Sequence, residues 1–241
     1  MRHNGLKLAL MTALGVLIAG CSMTPEEEAA AIERELLELP DGGDLFGAIK
    51  EEYPEDLADL VDRVQGLSLA ERNGTAGQQL GTQFIQEFMT KIGPEAVRAP
   101  AEELLIWSAT EAELYEALQR SATEACANMT MGSWVFIDED NKVARAAIQR
   151  RNVAMIRAAA AGRDDPQDYG EPSEAQLNQL GDAIAATGLD PDLQATLGNI
   201  QAMLELSPTD QCDLGVAYYQ GISALPDEIE PTIAAYMFTP E

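Results

Sequence analysis

Residues 101–128 read AEELLIWSATEAELYEALQRSATEACAN. Leu104, Trp107, Leu114, Leu118, Ala122 and Cys126 recur at the three- and four-residue steps that align side chains on one helix face. Glu102, Glu103, Glu111, Glu113 and Glu116 mark the wet side. The stretch therefore predicts a long amphipathic helix with Cys126 on its buried stripe.

Working outward, the same period recurs. Upstream, Asp44 can cap a helix to Tyr53, and Pro54 opens another carrying Leu57, Leu60, Val61 and Val64. Asn73-Gly74 breaks the chain, and Thr75 to Ile92 brings Leu80, Phe84, Ile85, Phe88 and Met89 to one face. Gly93-Pro94 and Ala99-Pro100 then punctuate. Downstream, Met131 to Ile137 is apolar and short, either a buried extended piece or the wall of a helix pair. Asn141 to Gly162 is an alanine-rich helix with Lys142, Arg145, Arg150, Arg151 and Arg157, which should pair with internal carboxylates. The 163–172 loop carries Asp164, Asp165, Asp168 and Glu171 without the order of a calcium loop, and reads as solvated. From the Ser173/Gln176 capping box onward the chain reads as successive hairpins, restarting at Asp190-Pro191 and Ser207-Pro208. The fold class expected is all-α, an irregular multi-helix bundle of helical hairpins over residues 44–241.

Leu180-Gly181 and Leu214-Gly215 lie 34 residues apart. The second copy, Leu214-Gly215-Val216-Ala217-Tyr218, resembles the Leu-Gly-x-x-Tyr core of tetratricopeptide repeats. That resemblance implies paired helices at the C-terminus. Leu193 stands where the family prefers a small residue, Pro226 and Pro231 interrupt the second unit, and no third copy precedes them. Ordinary helical hairpins remain the expectation.

The N-terminus has its own logic. Arg2 and Lys7 precede an uncharged apolar run, Leu8 to Ala19, too short to span a bilayer. Ile18-Ala19-Gly20-Cys21 follows at its end and resembles the lipobox of bacterial lipoproteins. The resemblance implies a signal peptide over 1–20, cleavage after Gly20, lipid on the Cys21 sulfur and acylation of the new amino group. Two or more acyl chains anchor a protein stably to a membrane. Ser22, where an Asp would resemble an inner-membrane retention signal, implies the outer membrane. Residues 21–43 then form a lipidated tether. Thr24-Pro25-Glu26-Glu27-Glu28 starts a short helix within it, and Pro40-Asp41-Gly42-Gly43 ends it.

With Cys21 lipidated, Cys126 and Cys212 remain in an oxidising compartment. An even pair there reads as a disulfide, two buried free thiols being the other state open to it. On the loop-entropy model, closing a span of about 85 residues contributes about 4 kcal/mol, less any strain.

The full chain holds 15 Lys+Arg against 41 Asp+Glu, a net charge of -26. Removing 1–20 takes Arg2, Lys7 and the sole histidine, His3, leaving a net of -28. Such a field repels nucleic acid, anionic headgroups and anionic glycans, so no nucleic-acid partner is expected. Without histidine, a Ser-His-Asp or Cys-His nucleophile pair and histidine-ligated zinc or haem fall away. No nucleotide-binding glycine loop and no C-x-x-C occur, so no cofactor or metal is expected. Carboxylate chemistry survives. Ala217-Tyr218-Tyr219-Gln220-Gly221 resembles the Ala-Tyr-Asn-x-Gly segment of helical lytic transglycosylases, but no Glu-Ser dipeptide accompanies it. The expected role is thus a non-catalytic, lipid-anchored helical module in the periplasm that binds a protein or peptide. A carboxylate-based cell-wall glycan hydrolase is the alternative.

Overall fold

A computed structural model describes residues 23–40, 42–133, 137–138 and 140–239. Cys21 and residues 1–20, for which a signal peptide is expected, lie outside these residues, as do Trp134, Val135 and Phe136 of the Met131–Ile137 run. Thirteen helices and no strand are found among the described residues: the chain is all-α. Its contacts divide it into two compact units, Met1–Ile92 and Gly93–Glu241. The division falls inside the 44–241 stretch read above as one body.

The N-terminal unit holds α1 (Pro25–Leu37), α2 (Gly43–Glu52), α3 (Pro54–Gln65), α4 (Leu69–Arg72) and most of α5 (Thr75–Ala96). Helix α1 starts as expected, with Thr24 and Glu27 forming a reciprocal capping box and Pro25 at the first position. It is more than a tether element, because Ile32 and Leu36 are buried and α1 packs on α2 and α3. Helix α2 begins at Gly43 without a side-chain cap, so Asp44 serves only as a first-turn acid. Helix α4 went unseen in the periodicity, since one turn has no period. Ser68 and Glu71 cap it reciprocally. Phe46, Ile49, Leu57 and Leu60 are fully buried, and the Tyr53 ring meets Phe88 edge-on at 5.3 Å. Helix α5 runs through Gly93-Pro94 to Ala96, against the expectation of a break. Pro94 lies in its last turn, where only one helical N–H is lost before the helix ends.

The C-terminal unit holds α6 (Ala101–Ser121), α7 (Thr123–Thr130), α8 (Lys142–Asp164), α9 (Glu174–Ala186), α10 (Pro191–Gln194), α11 (Ile200–Leu204), α12 (Pro208–Ser223) and α13 (Glu230–Phe238). The expected 101–128 helix is two helices, broken at Ala122 (φ -159°, ψ 59°). One amide supports the break. The Asn141 side chain donates to the freed Ser121 carbonyl at 3.0 Å, and its oxygen accepts from Ala144 N–H at the start of α8.

Helix α6 packs along α8, and α12 lies against α6, α7 and α9. Glycine sets two of these approaches. A Cβ on Gly215 would stand 2.6 Å from Tyr115 Cε1, and one on Gly221 would stand 2.6 Å from Ile184 Cγ1. The glycine of the repeat-like Leu214-Gly215 step is therefore a packing residue. Among the described residues the repeat array itself is absent. Where a first unit needs its second helix, α10 and α11 are four and five residues long, and Gly198 (φ +82°) lies between them.

Candidate functional site

The C-terminal unit buries charge where α6 and α8 meet. Trp107 and Glu111 lie one turn apart on α6, and Trp107 Nε1 donates to Glu111 Oε1 at 3.0 Å. Arg151 of α8 donates from Nε to the same oxygen at 2.5 Å, and from Nη1 to Asn152 Oδ1 at 3.1 Å. Glu111 is only 3% exposed. This corrects its placement on the wet side. It follows Trp107 by four residues and precedes Leu118 by seven, so it sits within the apolar stripe itself. Burial works against charge on Arg151, but the Glu111 carboxylate outweighs it and holds the guanidinium above its usual range. The expectation that α8 pairs with internal carboxylates holds here and at Arg150, which meets Glu113 at 3.2 Å.

Aromatic rings extend the cluster towards α12 and α13. Tyr115 stacks on Tyr219 with centroids 4.3 Å apart, Tyr219 faces Phe238, and Trp107 packs on Phe238 at 4.5 Å. Burial pushes the Tyr115 and Tyr219 phenols well up, and Tyr218 up to about 12 with help from Tyr236. All three keep their protons at neutral pH.

The transglycosylase-like segment lies within this framework. Tyr219 stacks as described, Gly221 abuts Ile184, and Gln220 donates to Glu116 Oε1 at 2.8 Å. These residues fasten α12 to α6 and α9. A second buried acid, Glu230, opens α13 and is 4% exposed. Burial raises its carboxyl pKa. Ser108 acts in the opposite sense, although its hydroxyl completes no hydrogen bond of good geometry, and Asp227 raises the pKa further.

Cys126 of α7 and Cys212 of α12 are fully buried with their sulfurs at disulfide distance, 2.01 Å, and their Cα atoms 5.1 Å apart. Leu118, Ala144 and Val216 pack in the same cluster.

No family model, curated protein or solved structure matches this chain. Its chemistry must therefore be read from its own residues. Among the described residues, no group of three or more His, Cys, Asp or Glu side chains is placed to hold a metal ion, and no helix is long and apolar enough to cross a membrane. Glu111 is neutralised by Arg151, and its other neighbours are rings that hold their protons. The cluster is built to fix helices in place. Sequence reading missed both buried acids. Glu111 could have been found by its stripe position. Glu230 carries no such signal.

Proposed function

We propose that this chain is an envelope lipoprotein of bacterial type. It is cut before Cys21, anchored through lipid on that sulfur, and carries a helical body that faces the periplasm, most simply from the outer membrane. The body acts as a non-catalytic binding module for a protein or peptide.

One observation carries the reading: Ile18-Ala19-Gly20-Cys21 closing an apolar run behind Arg2 and Lys7. Two further features support it. Cys126 and Cys212 at disulfide distance suit an oxidising compartment. A crosslink there would join α7 to α12 and remove the entropy of a loop closed over a separation of 86 residues. The acidic body also suits a protein held by lipid while its surface is repelled from anionic headgroups.

The test is fractionation. Cys21→Ser should move the chain from the membrane fraction to the soluble one. Retention on the membrane would remove lipidation as the anchor.

A further inference from the structure

Residues 187–206 differ from the rest of the C-terminal unit. Helices α10 and α11 bury no residue at all. Ile200 and Leu204, four apart on α11 and so on one face, are each 56% exposed. The segment is nonetheless held in place. Leu189 and Leu197 pack against the core cluster of Leu180, Ile184 and Ile222. Gln194 Nε2 donates to the Gly181 carbonyl at 3.0 Å, Gln211 Nε2 to the Met203 carbonyl at 2.9 Å, and the Asn199 side chain caps α11. An apolar face is thus presented in a fixed conformation, which lowers the entropy lost on binding.

Charge selects the occupant. Arg163 is the last basic residue of the chain. Residues 164–241 contain fifteen Asp+Glu and no Lys, Arg or His. Asp190 and Asp192 precede the exposed face in sequence, and Glu205 and Asp210 follow it. A second copy of the chain would bring the same excess of negative charge, and an anionic membrane or nucleic acid would be repelled. Only a positively charged partner with its own apolar stripe satisfies both halves of the surface.

We infer that the α11 face, with Ile200 and Leu204 at its centre, docks a cationic amphipathic helical segment of a partner protein. The partner's apolar residues, spaced three or four apart, cover Ile200 and Leu204 while its Lys and Arg side chains meet the flanking carboxylates. This inference rests on the binding role proposed above and adds the place and the partner's chemistry.

The test uses the full chain with Cys21→Ser and a fluorescent 18-residue Leu/Lys amphipathic peptide, read by anisotropy. An otherwise identical Leu/Glu peptide is the control. Ile200→Ser/Leu204→Ser removes exposed side chains only, and circular dichroism verifies its fold. The double variant should bind the Leu/Lys peptide at least tenfold more weakly, the Leu/Glu peptide should not bind, and affinity should fall as salt rises. Equal binding by the double variant would overturn the inference, leaving only diffuse attraction to an acidic chain. Self-association of the chain that the double variant abolishes would overturn it in favour of a second copy. Neither result bears on the fractionation of Cys21→Ser, so the anchoring proposal stands or falls separately.

Discussion

Arg72 in the N-terminal unit and Arg151 in the C-terminal unit both hold helices together, by different chemistry. Arg72 is 8% exposed and donates from Nε to the Leu67 carbonyl at 2.9 Å and from Nη2 to the Gln65 carbonyl at 2.8 Å. It reaches Glu28 of α1 at 2.6 Å, but that side chain is 37% exposed. Neutral carbonyls accept from Nε and Nη2 of the guanidinium, and its charged partner is open to water. The charge of Arg151 meets Glu111, whose side chain is 4% exposed. Water reaches Glu28. It cannot reach Glu111. The centre of the C-terminal unit is therefore committed to a charge pair, and the N-terminal unit is not.

The largest effect expected is at Arg151. Arg151→Met strands a buried carboxylate and should cost about 3–5 kcal/mol in urea unfolding. Adding Glu111→Gln should recover much of that loss, because the uncompensated charge disappears. A single variant as stable as wild type would show that Glu111 finds another partner or water.

Arg72→Met should cost less, about 1–3 kcal/mol, through the Leu67 and Gln65 carbonyls it leaves behind. Glu28→Gln should cost under about 1 kcal/mol, as expected of an exposed pair. Its pH dependence has a definite sign. The hydrogen bond from Arg72, together with its charge, holds the Glu28 pKa below 4.5, so its contribution is present above 4.5 and fades as pH falls through the lowered value. If Glu28→Gln proved as costly as Arg151→Met, the contrast between the units would collapse.

The smallest effect belongs to Glu230 on α13, a buried acid that no basic side chain pairs with among the described residues. Burial raises its folded pKa above 4.5, so the folded state holds its proton more tightly. Stability from this group is greatest below pH 4.5 and declines as pH rises from 4.5 to the folded value. Glu230→Gln should raise Tm at pH 7 and leave it nearly unchanged at pH 4, by calorimetry. An equal shift at both values would mean packing, not ionisation, sets the cost.

Helix positions were legible because the apolar period and the punctuation agreed, as at Pro54, Ser173 and Ser207-Pro208. The exceptions have local causes. At Ala122 the chain breaks with neither Gly nor Pro, because Asn141, distant in sequence, takes up the freed carbonyl. At Pro94 the helix continues because its end is near. The 187–206 segment carries helix starts in its sequence, but Gly198 divides the stretch beyond Asp190-Pro191 into two short turns. The pairing of Glu111 with Arg151 links residues forty apart, and no local pattern encodes it. Cys126 was readable from its stripe position, and Cys212 only by elimination.

The most direct measurement is mass spectrometry of the mature N-terminal peptide from native membranes. The expected result is a chain beginning at Cys21, its sulfur carrying diacylglycerol and its amino group acylated. A chain that still begins at Met1 with an unmodified Cys21 thiol would contradict the anchoring, the compartment and the proposed role together.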